Sequence, residues 1–233
     1  MMNASSSTAP RIVRRESHEV FDSFARSLRQ RRGLMWPYAH AFLEAPFPDR
    51  CINEIVQLPW LAPHLDGVSG RRELHNDQRR YFDAATIDET GVARDLAQAF
   101  QGRRMISLLR DELGIDLSGN YLRIEYCQDV DGFWLEPHTD IGVKKLTLQC
   151  YLGSEPEQDD LGSDIYADGK TRVSRAPFGR NNAMLFIPND HTWHGFERRP
   201  IRGVRRSLII NYVTTEWRAR EQLAFPNEPV STL

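Results

Sequence analysis

His138 and Asp140 stand two residues apart in the stretch Phe133-Trp134-Leu135-Glu136-Pro137-His138-Thr139-Asp140. Side chains at i and i+2 point to the same side of an extended backbone. An imidazole nitrogen and a carboxylate oxygen can therefore converge on one cation. Two ligands hold a catalytic metal poorly, so a third is expected downstream, in Asp190-His191-Thr192-Trp193-His194-Gly195-Phe196. His194 is the candidate, because it follows a bulky aromatic and precedes Gly195, where the chain can turn close to a metal. Its rival His191 sits in a polar turn that reads as exposed. Two His and one carboxylate on one face of a metal, with open positions opposite, describe a non-haem Fe(II) oxygenase site. A bare H-x-D is common, and a surface His beside an Asp is its ordinary cause. Here the motif falls between two strand patterns, after Gly132 and with Pro137 stiffening its entry, which puts it at the mouth of a sheet, where sites tend to be built.

A second feature is Gly203-Val204-Arg205-Arg206-Ser207. Arg205 and Ser207 share one strand face, and a guanidinium fork beside a hydroxyl suits a carboxylate. An ion pair with a surface acid is the bland alternative for either arginine. Arg206 takes the role if the register slips by one, because a one-residue slip reverses the face. Arg123, on the strand before the metal motif, meets either an anionic substrate or a neighbouring Glu125 or Glu136. Trp134 and Trp193 flank the ligands and serve as pocket wall or as core. His75, Asn76, Arg79 and Arg80 lie in a polar segment placed to lid the site.

These residues need elements to hold them. Residues 14–31 carry Val20, Phe21, Phe24, Ala25 and Leu28 on one helical stripe. Tyr38 to Leu43 reads as a strand, ended by Pro46 and Pro48, and Asp49 starts a helix carrying Cys51, Ile52, Ile55 and Val56. Residues 63–78 lack apolar periodicity and read as a loop. A long helical pattern covers 91–113, divisible at Gly102 and stopped by Gly114. From Tyr121 onward the period changes to strands: 121–126, 145–152, 183–187 and 207–213, separated by Gly, Asn, Asp and Pro clusters. Trp217 onward reads as a short helix that frays after Pro226. Helices first and strands after predict an α+β fold with a sandwich or barrel core.

Lys+Arg total 30 against Asp+Glu 32, a net charge of −2, so no global field attracts nucleic acid or an anionic membrane. Basic residues are scattered as doublets rather than gathered with aromatics. No apolar run reaches the roughly 18–20 residues of a membrane span, and the first residues lack a signal peptide's apolar core. Cys51, Cys127 and Cys150 form no CxxC pair, which favours a reducing, cytoplasmic setting. Residues 1–10 read as disordered and 11–233 as a single domain, with the motif-bearing core at 121–213.

In order and spacing, Tyr126, Gly132, His138-x-Asp140, the strand 146–152, Leu161-Gly162-Ser163-Asp164, the strand 184–188, His194 and Gly203-x-Arg205-x-Ser207 resemble the Fe(II)/2-oxoglutarate-dependent dioxygenases, in their prolyl-hydroxylase-like branch. The resemblance covers roughly 121–213. It implies a double-stranded β-helix (jelly-roll) core flanked by N-terminal helices. It implies Fe(II) on His138, Asp140 and His194, with O2 as oxidant. It also implies 2-oxoglutarate held through its distal carboxylate by Arg205, helped by Ser207 and Tyr126. In the family's halogenases a small residue replaces the carboxylate ligand, so Asp140 points to hydroxylation. The expected substrate is a small polar molecule: an amino acid, a peptide-bound residue or a sugar derivative. Two readings compete, a cupin-like metalloenzyme without 2-oxoglutarate, in which Arg205 and Ser207 have no role, and a non-catalytic β-sandwich binding module.

Overall fold

The computed structural model describes residues 10–65, 70, 79–140 and 142–232. The N-terminal stretch read as disordered lies outside them up to residue 9, and Pro10 already opens the first helix. Most of the polar segment read as a lid, including His75 and Asn76, also lies outside them.

The helices gather on one side. They are α1 (Pro10–Arg29), α2 (Asp49–Val56), α3 (Ala84–Glu89), α4 (Gly91–Gln101) and α5 (Arg103–Leu113). The apolar stripe of α1 puts Val20, Phe24 and Leu28 at 0% exposure. Phe24 meets Phe100 of α4 edge to face at 5.0 Å, and truncating such a ring costs about 3–5 kcal/mol. The long helical pattern is indeed broken at Gly102, whose backbone is extended. Gly114 ends α5 at φ 69°, a left-handed position that glycine adopts without penalty. The Asp83 side chain accepts from Thr86 N at 2.8 Å and starts α3, a helix too short to leave an apolar period in the sequence.

The strands form two sheets. The larger runs in the order β1 (Arg32–Leu34), β2 (His40–Glu44), β9 (Asn182–Phe186), β6 (Lys144–Glu155), β11 (Val204–Val213), β4 (Tyr121–Val130), β3 (Arg80–Tyr81). The smaller runs β5 (Leu135–His138), β10 (His194–Phe196), β7 (Asp164–Tyr166), β8 (Arg172–Arg175). Together they form the double-stranded β-helix core of an α+β fold, with the helices against the outer face of the larger sheet. Alternation sorts each long strand. Leu208, Ile210 and Tyr212 of β11, with Leu122, Ile124 and Tyr126 of β4, join the helix-side apolar cluster. The opposite face carries Arg123, Glu125, Thr147, Gln149, Arg205 and Ser207, all buried. A second apolar cluster, including Phe133, Tyr151, Ile165 and Phe196, closes part of the space between the sheets. The remaining space is the site.

The tail departs from expectation. Residues Arg220–Gln222 make one 3-10 turn rather than a helix. Beyond Pro226 the chain is docked: Val230 is 1% exposed, donates to Asn120 O at 2.8 Å and accepts from Gly119 N at 2.9 Å. A buried valine with paired backbone outweighs the polar composition that read as fraying.

Candidate metal centre and its cavity

Each ligand candidate is placed by a strand end. His138 closes β5 and His194 opens β10, and the two are directly paired across the antiparallel ladder. Their rings lie 4.4 Å apart. Asp140 follows two residues after His138. One ligand atom from each of His138, Asp140 and His194 lies within 4.8 Å of the others, so the three can hold one metal ion.

Backbone carbonyls set the tautomers. His138 Nδ1 donates to Glu136 O at 2.9 Å and His194 Nδ1 donates to Thr192 O at 2.9 Å. The proton on each ring is thereby fixed at Nδ1, and each Nε2 keeps a lone pair for a metal. Burial lowers the His194 pKa to about 4, against the nearby Asp140 carboxylate, which raises it. His194 is neutral at pH 7, the state a ligand needs. Burial pushes the Asp140 pKa up, but the Lys144 and His194 charges and hydrogen bonds from Lys144 and Thr147 bring it well below the carboxylate range. Lys144 Nζ donates to Asp140 Oδ1 at 2.5 Å and Thr147 Oγ1 donates to Oδ2 at 2.8 Å.

Gly195 is required for a different reason from the one its position predicts. A Cβ there would lie 2.8 Å from Leu135 O and 3.1 Å from Glu136 O. The glycine lets β10 press against the backbone of β5, and that approach brings the two histidines together. The rival His191 is 80% exposed and pairs with Asp190, so the polar turn reads correctly as surface.

Arg205 faces the same cavity of about 540 Å³ as the three ligands. Its side chain is 1% exposed. Nε donates to Leu161 O at 2.6 Å, and Nη1 donates to Asp129, which faces it across the ladder. Phe196 and Tyr151 lie over the guanidinium at 4.7 and 5.6 Å. Nη2 makes no protein hydrogen bond among the described residues. Arg206 points to the opposite face, where it bonds Tyr126. Ser207 is on the face of Arg205 and is fully buried, accepting from Gln149 Nε2 at 3.4 Å rather than lining the cavity.

Tyr126 is a correction. The resemblance placed it beside Arg205, but it faces the helices and packs against Trp60 at 5.5 Å. Position on β4 decides this: Glu125 and Asp129 face inward, so Tyr126 faces outward. Trp134 and Trp193 are not cavity walls either. Trp134 packs on Gly70, and the Trp193 ring packs on Gly169.

Several cavity residues were not singled out by the sequence as site groups. Lys144, Trp217 and Gln222 are among them, and Asp129, behind Arg205, was not singled out either; for Asp129 the signal available was a run of residues of alternating character on β4, from Arg123 to Asp129. Arg123 meets Glu125, the blander of its two expectations. It donates to Glu125 Oε2 at 2.8 Å, Gln222 Oε1 at 3.0 Å and Asn211 Oδ1 at 3.2 Å. The Tyr81 and Trp217 rings each lie 4.9 Å from its guanidinium carbon. Arg79 approaches the other oxygen of Glu125 at 2.7 Å.

No family model matches the sequence, and no curated protein matches it significantly. Solved structures do match in fold. A prolyl hydroxylase from Trichoplax adhaerens, in complex with a hypoxia inducible factor oxygen degradation domain peptide fragment, superposes with a TM-score of 0.56 at 14% identity, over 93% of this chain and 97% of that one. An oxidoreductase of the 2OG-Fe(II) oxygenase family from Burkholderia pseudomallei gives 0.52 at 16% identity, over 83% and 89%. The non-heme alpha ketoglutarate dependent epimerase SnoN from nogalamycin biosynthesis gives 0.51 at 13%, over 83% and 80%. The chain therefore has the fold of the Fe(II)/2-oxoglutarate oxygenases, with prolyl hydroxylases among the structures it resembles.

Proposed function

We propose that the protein is an Fe(II)- and 2-oxoglutarate-dependent oxygenase that hydroxylates an unactivated C–H bond of a small polar molecule. The observation that carries this is one cavity holding both a two-His, one-carboxylate cluster and a buried arginine. A cupin-like enzyme without 2-oxoglutarate gives that arginine no task, and a binding module gives the cluster none.

His138, Asp140 and His194 hold Fe(II) through Nε2, a carboxylate oxygen and Nε2. The donor set suits it: two imidazoles with fixed tautomers and one carboxylate. Lys144 and Thr147 orient the Asp140 carboxylate. Arg205 receives the distal carboxylate of 2-oxoglutarate, with Ser207 and Gln149 supporting that wall. Asp129 and the Leu161 carbonyl hold the guanidinium in place, and Phe196 and Tyr151 keep water from it. Together iron and 2-oxoglutarate supply the oxidising power, since decarboxylation to succinate and CO2 is coupled to transfer of an oxygen atom from O2 to the substrate. The chain contributes ligation, orientation and a shielded cavity.

The fold also serves epimerisation, as in SnoN, and the Trichoplax enzyme holds a peptide. Product analysis separates oxygen insertion from inversion, and a peptide panel tests the larger substrate. The primary test is anaerobic Fe(II) titration with and without 2-oxoglutarate, followed by succinate release in air. Both additions are needed for a visible charge-transfer band, and His138→Ala or Asp140→Ala abolishes turnover. Full activity in either variant would end the assignment.

A further inference from the structure

The cavity has two cationic ends. Arg205 is the second residue of β11, and Lys144 opens β6 opposite Val213, the last residue of β11. The metal cluster adjoins the Lys144 end, through the bonds of Asp140 to Lys144 and Thr147. The proposed function assigns a ligand to the Arg205 end only.

We propose that Lys144 anchors an anionic oxygen group of the substrate, a carboxylate or a phosphate, which makes the substrate a small acid. The inference rests on the functional reading above and specifies its second ligand. An ammonium carries three donors. Lys144 uses one, on Asp140 Oδ1, and among the described residues has no other hydrogen-bond acceptor. Its side chain is 19% exposed and lines the cavity. Once Asp140 shares its charge with a divalent cation, the ammonium is left without a full counter-charge in a confined space. A ligand anion restores the balance.

The neighbouring groups favour the same chemistry. Arg123 cannot take the ligand itself, because its donors are committed to Glu125, Asn211 and Gln222 and two aromatic rings cover it. It holds the Trp217 indole as a wall of the cavity and adds positive potential. Glu125 is the carboxylate at this end that would repel an anion, and it is clamped between Arg123 and Arg79. Glu136 also lines the cavity, but the residue is solvent-exposed, where its charge is screened. The ligand space of about 540 Å³ is shared with 2-oxoglutarate, which leaves room for a small acid rather than an extended polymer.

The test uses the full chain loaded with Zn(II), which has no redox chemistry, and with 2-oxoglutarate. Calorimetry follows binding of matched probes: lactate against lactamide, propanoate against propanamide, and methyl phosphate as the phosphate arm. Wild type prefers one class of anion over its neutral partner. Lys144→Met weakens that anion about tenfold or more, the worth of a charged hydrogen bond. Zinc is kept saturating, because Lys144 also orients the Asp140 ligand, and 2-oxoglutarate, held at the Arg205 end, keeps its affinity within about threefold. Lys144→Arg retains the preference, which a merely structural lysine would not require. Equal binding of acids and amides, no binding of any anion, or loss of 2-oxoglutarate affinity in Lys144→Met would overturn the proposal. Failure of wild type to bind 2-oxoglutarate would instead sink the functional reading, and this inference with it.

Discussion

Asp129→Asn separates a structural ion pair from a co-substrate site. The Asp129 and Arg205 side chains are 5% and 1% exposed and bonded to each other. Breaking a buried pair by removing one charge costs about 3–5 kcal/mol, because the remaining charge stays buried. Asparagine still offers an oxygen acceptor, so the lower value applies, about 3 kcal/mol. For a chain of this size that corresponds to a fall in Tm of about 6–12 °C. The consequence for ligand binding has the opposite sign. A 2-oxoglutarate carboxylate reaching Arg205 would supply the missing counter-charge. If it regains half of the lost stability, its Kd tightens about tenfold. The assay is thermal unfolding of Zn(II)-loaded protein across a 2-oxoglutarate titration. At about 100 times Kd the ligand adds about 2.7 kcal/mol to either protein, but the variant reaches that gain at about a tenth of the concentration. An unchanged Tm would refute the buried-pair argument. Weaker 2-oxoglutarate binding by the variant would refute the assignment of Arg205.

Other outcomes follow from the same geometry. Arg205→Met abolishes the 2-oxoglutarate response, whereas Arg206→Met and Tyr126→Phe leave it within about twofold, since both residues face the helices; calorimetry on the three variants checks this. Gly195→Ala forces a Cβ against the Leu135 carbonyl, costs about 1–3 kcal/mol as an overpacked contact, and weakens metal binding more than Gly169→Ala does; metal titration with unfolding curves reads both. The His194 pKa falls from 6.5 to about 4 on folding, so between those values the unfolded chain binds the proton and the folded chain does not. Metal-free protein is therefore fully stable above pH 6.5 and loses about 3 kcal/mol as pH falls through that window. Urea unfolding between pH 4 and pH 7 measures the loss, which His194→Gln largely removes.

Much of this was legible in local pattern. The period change near Tyr121, the stop at Gly114, the break at Gly102 and the long strands all depend on residues close in sequence, and they recur in the structure. Strands β1, β7 and β8 were not legible, being three or four residues long and held by partners far along the chain. That Arg205 shares a strand face with Ser207 and Arg206 does not was legible, because alternation along one strand is a local property.

By itself, the sequence determined which side chains are available for the chemistry, in what order, and which strand face each occupies. Only the tertiary structure decided which face is inside. Alternating charge on Arg123, Glu125 and Asp129 reads locally as a solvated face. The smaller sheet covers that face, and the helices cover the apolar one. That outcome makes Arg123 and Glu125 buried partners, removes Tyr126 from the cavity and sets Lys144 at the end remote from Arg205. The physical reason is that burial depends on what packs across from a strand, and the covering segment lies tens of residues away in the chain.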